Sequence, residues 1–435
     1  MTRKNNIRKF RGKIAADLLI VNASELLTLD GSSQEPRTGD QMKLLGLIQD
    51  GALAIQGSKI VAVGKSEEIL RGFEAKNMID ASGRTILPGF IDPHTHLVFS
   101  GSREKEFQMR LAGASYMEIL EAGGGILETV HKTREASLDE LVYDGQKTLD
   151  IMLEHGTTTV EAKSGYGLTV EDELKLLHVM DRLNSQHVID IVPTFMGAHA
   201  IPHEYKNAPE KYVDLVIEEM IPLVSEKKLA EFCDVFCEKG VFTISQSRRI
   251  LSAAKRAKLK PKIHADEMST TGGTELAADI KAASADHLLF SSIKGLEAIA
   301  QQKVMAVLLP AAAFCLMMGR YADARKMMHL GVPVTLGTDF GPTCWIENQQ
   351  LIIALACRFM KLTPAEAIVA ATINAAHAID KGTEIGSLEI GKKADIIICD
   401  IPNHNFLGYR FGVNLVNQVI KNGKLVFSKE KKNLY

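Results

Sequence analysis

The 435-residue chain has little of what marks a disulfide-stapled or nucleic-acid-binding protein. It holds six cysteines, and none of them stands in a Cys-x-x-Cys pair. A chain of this length does not need disulfides for stability, so we expect free thiols in a reducing cytoplasm. The net charge of −2 gives no basic surplus for a nucleic acid or an anionic membrane.

Long apolar runs are missing as well. The longest uncharged stretch, residues 304–319, is too short to span a bilayer comfortably and has Pro310 near its middle. The basic residues 1–13 are not followed by an apolar segment of the signal-peptide kind, so we expect a solvated tail there. These absences predict a cytoplasmic protein without a membrane partner.

The middle of the chain alternates short apolar runs with helix-like segments. Eight runs can be counted, at residues 86–91, 157–160, 189–194, 235–237, 261–265, 285–289, 304–309 and 334–337. Eight β–α units is the number in a TIM (β/α)8 barrel. A doubly wound open sheet is the alternative, but no Gly-x-Gly-x-x-Gly follows the first run, so the usual dinucleotide signature of that fold is missing.

Both ends of the chain have β-type patterns. At one end, residues 17–30 are β-like and 51–64 have the pattern of a hairpin with a Gly-Ser-Lys turn. At the other end, 386–400 and 416–427 are β-like, and an Asn-Gly pair predicts a turn. We therefore predict a small β-sandwich domain built from 1–86 and 382–435, around an α/β barrel at 87–381.

Chemistry is concentrated at the ends of the predicted barrel strands. His94 and His96 lie two apart after the first run, so side-chain alternation along a strand points both the same way. His264, His287 and Asp339 come at the ends of three later runs. The carboxyl ends of barrel strands meet at one mouth, and imidazole with carboxylate donors suits zinc or ferrous iron.

An acid lies close to this predicted metal site. Glu267 follows His264 by three residues, where it could take a proton from water and return it to a leaving nitrogen. A charge at a helix N-terminus is the other interpretation of Glu267.

Several long motifs resemble one family. PGFIDPHTH at 88–96 and GSLEIGKKADIIICD at 386–400 are similar to the amidohydrolase superfamily. Five further segments resemble its imidazolonepropionase family: SREKEFQMRLAGASYMEILEAGGGI, EAKSGYGL, TFMGAHAIP, HADEMSTTGGTELAA and SADHLL. The resemblance covers nearly the whole chain. It implies a hydrolase of histidine degradation that opens the ring amide of 4-imidazolone-5-propanoate to give N-formimidoyl-L-glutamate, and a homodimer is an expectation from the same family.

The resemblance also implies residue roles. One zinc or iron ion per subunit would be held by His94, His96, His264 and Asp339. Glu267 and His287 would hold the attacking water, with Asp339 accepting a proton as well. The substrate would be contacted by Arg103, Tyr166, His199 and Glu267. A carbamylated Lys239 bridging two metal ions is the alternative to the mononuclear site.

One loop departs from the family pattern. After Asp339 the family usually has Phe-Asn-Pro-Gly and then Ser or Thr, whereas this chain has Phe340-Gly341-Pro342-Thr343-Cys344. Gly341 cannot supply a side-chain amide, which puts one substrate or product contact in question. The competing functions are another amidohydrolase, such as a nucleobase aminohydrolase, and a barrel scaffold without activity.

Overall fold

The N-terminal region contributes strands to two different sheets. The computed structural model describes residues 9–10, 12–113, 118 and 124–429, so 114–117 and 119–123 of the motif at 102–126 lie outside the described residues. The strands are β1 (Lys9–Phe10), β2 (Lys13–Ala23), β3 (Glu25–Leu27), β4 (Leu47–Ile48), β5 (Gly51–Gln56), β6 (Lys59–Lys65), β7 (Phe73–Asp80) and β8 (Thr85–Pro88). The predicted hairpin at 51–64 is confirmed by the antiparallel pair β5 and β6.

Eight parallel strands follow and form the barrel. They are β9 (Phe90–Thr95), β10 (Thr157–Lys163), β11 (Asp190–Ala198), β12 (Phe232–Cys237), β13 (Lys260–Ala265), β14 (Ser284–His287), β15 (Met305–Leu308) and β16 (Val334–Leu336), each paired with the next. Two backbone hydrogen bonds close the ring, from His96 N to Phe340 O at 2.7 Å and from Asp339 N to His94 O at 3.1 Å. The predicted TIM barrel is confirmed.

Helices between the strands form the outer layer. Ser137, Thr169, Thr243 and Ser292 each accept a backbone N–H at a helix start, which satisfies a donor that the helix leaves free. Short 3-10 turns lie at Gly39–Lys43 and His203–Tyr205, and a π turn at Val216–Met220. The α-helices are Ser66–Gly72, Glu104–Leu111, Ile126–Glu135, Leu138–Glu154, Val170–Gln186, Pro209–Leu215, Ile221–Glu226, Ile244–Arg256, Gly273–Ile280, Ile293–Gln302, Pro310–Cys315, Ala324–His329, Gln349–Phe359, Pro364–Ala370, Ile373–Ala378 and Asn405–Tyr409.

The two ends of the chain share one sheet. The last strands are β17 (Ile396–Cys399), β18 (Val416–Lys421) and β19 (Lys424–Ser428), and β17 pairs antiparallel with β8 in the order β19-β18-β17-β8-β3-β4. The other sheet holds β1, β2, β5, β6 and β7, and its Leu18 and Ile55 share one apolar core with Ile86 and Ile396. The β-sandwich is confirmed, while its boundaries at 87 and 381 stay a prediction.

The first predicted run divides between the two parts of the fold. Ile86 and Leu87 lie in β8 of the sandwich, whereas the barrel strand begins at Phe90. A Cβ on Gly89 would lie 2.3 Å from Thr158 Cγ2, so the crossing between the sheets needs glycine. Apolar composition cannot locate this break because both strands are buried. Among the described residues, no helix is long and apolar enough to cross a membrane.

Candidate metal centre and active site

The predicted ligand residues meet at the C-terminal mouth of the barrel. His94 lies on β9 with His96 just beyond its end, His264 lies on β13, and Asp339 follows β16. The ring centroids of His94 and His264 are 4.5 Å apart, and those of His94 and His96 are 5.5 Å apart. The three imidazoles are buried, with at most 5% of the residue exposed. Positions far apart in sequence are thus brought to one point by the barrel.

The donor atoms fit a metal ion. Those of His94, His96 and His264 lie within 4.8 Å of one another, and so do those of His94, His287 and Asp339. Asp339 Oδ1 is 3.2 Å from His94 Nε2. Among the described residues, His94 Nε2 and His264 Nε2 are buried without a hydrogen-bond partner, which costs about 1–3 kcal/mol each unless a ligand meets them. Their shared space is suited to a cation that takes nitrogen and oxygen donors.

Electrostatics keep two of these rings ready to ligate. Burial lowers the pKa of His94 and His96 well below the ordinary value, and neighbouring cations act in the same direction. Each imidazole is therefore neutral at physiological pH and has one nitrogen lone pair available.

Two buried carboxylates orient the rings from behind. His94 Nδ1–H donates to Asp286 Oδ2 at 2.6 Å, and His264 Nδ1–H donates to Asp234 Oδ1 at 3.1 Å. Each bond places the proton on Nδ1 and leaves the Nε2 lone pair facing the site. Carboxylates that accept the other ring N–H of a metal-binding histidine fix its tautomer in the same way. Neither aspartate is among the site residues predicted from the sequence. For Asp234 the signal was a charge inside the otherwise apolar strand β12, since a buried charge must be paired.

Two of the residues have left-handed backbone. His287 has a φ of 73° and Asp339 a φ of 55°. A non-glycine residue in this region costs on the order of 1–3 kcal/mol and persists only where its surroundings enforce it. Such strain is concentrated at functional sites, and here it aims both side chains into the mouth.

Glu267 lies two residues beyond the end of β13, the strand that holds His264. Its carboxylate oxygen is 3.7 Å from His287 Nε2. Burial raises the pKa of Glu267 to about 7, although the neighbouring His264 ring opposes the shift. At neutral pH, Glu267 is therefore divided between its acid and base forms, which suits a group that both accepts and donates protons.

Arg103 reaches the mouth from the loop after β9. Its Nη1–H donates to Thr343 Oγ1 at 2.8 Å, and its Nε–H donates to Thr129 Oγ1 at 3.0 Å. Glu106 Oε1 lies 3.8 Å from Nε. The guanidinium is thus held between the loops after β9 and β16, and the side chain of Thr343 supplies a contact that the family's usual glycine could not.

Tyr166 and His199 form one wall beside the metal-type histidines. The His199 ring stacks on His96 with centroids 4.8 Å apart, and the Tyr166 ring lies 5.0 Å from His199. Burial lowers the pKa of His199 to about 3. Its Nδ1–H donates to Gly165 O at 3.0 Å, so Nε2 of this neutral ring is an acceptor.

Comparisons with known proteins decide the family. Residues 85–426 match the model of the Amidohydrolase family. An imidazolonepropionase of Alkaliphilus metalliredigens is 53% identical over 95% of this chain and 98% of its own length. Another, from Brevibacillus brevis, is 54% identical over 94% of this chain and 97% of its own length. The chain belongs to the imidazolonepropionase family.

Solved structures agree with the amidohydrolase fold. A zinc-bound adenosine deaminase from Xanthomonas campestris has a TM-score of 0.70 at 18% identity, over 95% of this chain and 94% of its own. Guanine deaminase of E. coli has a TM-score of 0.71 at 14% identity, over 94% of this chain and 99% of its own. This chain and these deaminases thus share an architecture, which by itself does not separate their reactions.

Proposed function

We propose that the chain hydrolyses the ring amide of 4-imidazolone-5-propanoate, giving N-formimidoyl-L-glutamate in histidine degradation. Membership of the imidazolonepropionase family at more than 50% identity over nearly the whole chain carries this proposal. The mouth supports it, because it combines a metal-type donor set, a titratable carboxyl group and a guanidinium.

One zinc or iron ion is the proposed cofactor, held by His94, His96, His264 and Asp339. When bound, such an ion lowers the pKa of water and polarises the amide carbonyl as a Lewis acid. Lys239, which would have to be carbamylated to bridge a second ion, is exposed, so its position favours the single-metal site.

Protons are moved by Glu267 in this proposal. Its carboxylate takes a proton from the attacking water, and the resulting carboxylic acid gives it to the ring nitrogen as the C–N bond breaks. His287 lies 3.7 Å from Glu267 and orients the water, while Asp339 is the second proton acceptor. Burial raises the pKa of Asp339 well above its ordinary value, which makes that carboxylate a better base.

The substrate is held at its two ends. Arg103 binds the propionate carboxylate, for which its planar fork is suited. Tyr166 contacts the ring edge. His199 accepts a hydrogen bond from a ring N–H, because its own proton is already committed to Gly165 O. His199 therefore has no free N–H with which to polarise the substrate carbonyl, and another group has to do so.

Turnover of two substrate classes tests the proposal. Metal-replete protein should consume 4-imidazolone-5-propanoate and yield N-formimidoyl-L-glutamate without ammonia. Release of ammonia from guanine or adenosine, with no opening of the imidazolone, would instead support an aminohydrolase. A folded, metal-loaded protein inactive on both would point to a scaffold.

A further inference from the structure

A buried lysine lies behind two of the candidate ligand histidines. Lys163 is the last residue of β10 and its side chain is fully buried. Its Nζ is near three carboxylates, at 2.7 Å from Glu161 Oε1, 2.8 Å from Asp234 Oδ2 and 3.7 Å from Asp286 Oδ2. Two of these are the carboxylates that accept from His264 and His94. One ammonium group therefore joins both histidine–carboxylate pairs.

We propose that Lys163 is a positioning residue that fixes His94 and His264 as a matched pair and so sets the affinity and geometry of the metal centre. Its ion pairs within the described residues are to carboxylates, so in this proposal it acts on the histidines through Asp234 and Asp286. The inference rests on the proposed metal site and is independent of which substrate is hydrolysed.

Charge explains why a cation is needed at this point. Asp234, Asp286 and Glu161 are each 0% exposed and lie on neighbouring parts of the barrel interior. Buried like charges repel strongly where water cannot screen them. Lys163 offsets that repulsion with one group, because it donates a hydrogen bond to Glu161 Oε1 and forms ion pairs with Asp234 and Asp286.

A second buried lysine offers a contrast. Lys262 is also 0% exposed, but its Nζ lies 3.8 Å from Glu161 Oε1 and donates to Pro93 O at 3.4 Å. Burial lowers the pKa of Lys262. Although burial also opposes the charge of Lys163, the nearby carboxylates raise the pKa of Lys163 above its ordinary value. Lys163 is therefore the lysine that forms ion pairs with the ring-orienting aspartates, whereas Lys262 has no such ion pair among the described residues.

Without Lys163 the two aspartates would lose their shared anchor. Each could then rotate away from its imidazole, and the Nε2 atoms of His94 and His264 would no longer be held toward one point. Partners that orient metal ligands in this way are typically worth about ten- to a hundredfold in metal affinity. Among the described residues, Lys163 pairs with the aspartates and not with the histidines themselves, so we expect a loss at the lower end of this range, about tenfold in metal affinity.

Metal titration of two matched variants tests the proposal. Metal-free wild type, Lys163→Met and Lys262→Met are titrated with Co²⁺ while the visible absorption is recorded, and with Zn²⁺ against a chromophoric chelator. Thermal unfolding reports whether each variant is folded. Lys163→Met should bind both ions about tenfold more weakly with a changed Co²⁺ spectrum, whereas Lys262→Met should resemble wild type in both.

Wild-type affinity and spectrum in Lys163→Met would overturn the proposal, and so would equal losses in the two variants. If Lys163→Met does not fold, the same titration is made on Lys163→Gln, whose amide can still donate to one carboxylate. If neither Lys163 variant folds, the residue is structural and the proposal fails. Wild type that binds neither ion would refute the metal site itself, a result distinct from any failure to hydrolyse the imidazolone.

Discussion

Replacing Glu267 with glutamine should remove the acidic limb of the pH–rate profile. Glutamine keeps the shape of the side chain but cannot accept the proton of the attacking water. Burial raises the pKa of Glu267 to about 7, so about half of the wild-type protein has the carboxylate at pH 7 and about 1% at pH 5. If the carboxylate is the base, wild-type kcat/KM should fall about fiftyfold between pH 7 and pH 5.

The size of the loss at neutral pH follows from the same role. Removing a general acid–base group costs on the order of 10²–10⁴-fold in rate, so Glu267→Gln should lose that factor in kcat at pH 7 and change little as the pH is lowered. Metal content should stay at the wild-type level. The assay is the initial rate of imidazolone consumption from pH 5 to 9, with elemental analysis of the same samples.

Glu238→Gln is the matched control. Glu238 is buried beside Glu267. Its Oε2 accepts a hydrogen bond from Met268 N at 2.9 Å and its Oε1 accepts one from Lys239 N at 2.9 Å, so a glutamine carbonyl can retain one of the two. After burial, the charge of Glu238 is a further cause of the raised pKa of Glu267. Removing it should move the acidic limb to lower pH and leave kcat nearly unchanged. An acidic limb that persists at the same pH in Glu267→Gln would show that another group titrates.

The remaining predictions concern binding. Arg103→Ala should lower kcat/KM about ten- to a hundredfold, since a charge-assisted pair is worth about 1.5–3 kcal/mol, and should lose the preference for the substrate over an analogue without the carboxylate; a preference equal to wild type would place the carboxylate elsewhere. Thr343→Val should raise KM about two- to tenfold with kcat kept, because Arg103 loses one of the hydrogen bonds that position it, and a typical hydrogen bond contributes a net stabilisation of about 0.5–1.5 kcal/mol. Thr343→Ser should behave as wild type, and an unchanged KM in Thr343→Val would show that this loop does not position Arg103. Elemental analysis should find one zinc or iron per chain, and two equivalents would contradict the single-metal site.

The barrel could be predicted because its signal is repeated. Eight apolar runs separated by helix-like segments are compatible with few protein architectures. An error in the bounds of one run does not change the number of predicted strands. The crossing at Gly89 was not predictable from composition, since Leu87 and Phe90 are equally apolar and buried although they lie in different sheets. What separates them is the approach of Thr158 to the backbone, which exists only in the folded chain.

The candidate ligands could be recognised from the sequence, but the pairing of each histidine with its aspartate could not. His94 and His96 can be recognised because they are two residues apart in a predicted strand, which is a local sequence pattern. The pair of His94 with Asp286 joins residues 192 positions apart, and the pair of His264 with Asp234 joins residues 30 apart. Barrel closure sets both distances, and one sequence carries no local sign of either.

Arg103 illustrates the same limit at the substrate end. Its place after the first barrel strand predicted a residue at the mouth, and the structure has it there. Its hydrogen bond to Thr343 crosses 240 residues of sequence. The departure at Gly341 to Cys344 therefore looked like the loss of a contact, whereas the folded loop also gains one.

Product analysis in ¹⁸O-labelled water tests the central claim most directly. Opening of the ring amide puts one oxygen from water into the new α-carboxylate of N-formimidoyl-L-glutamate and releases no ammonia. Mass spectrometry of the product formed by the metal-replete protein should therefore show a single labelled oxygen in that carboxylate. Recovery of unopened 4-imidazolone-5-propanoate, or of a product whose α-carboxylate carries no label, would contradict the account.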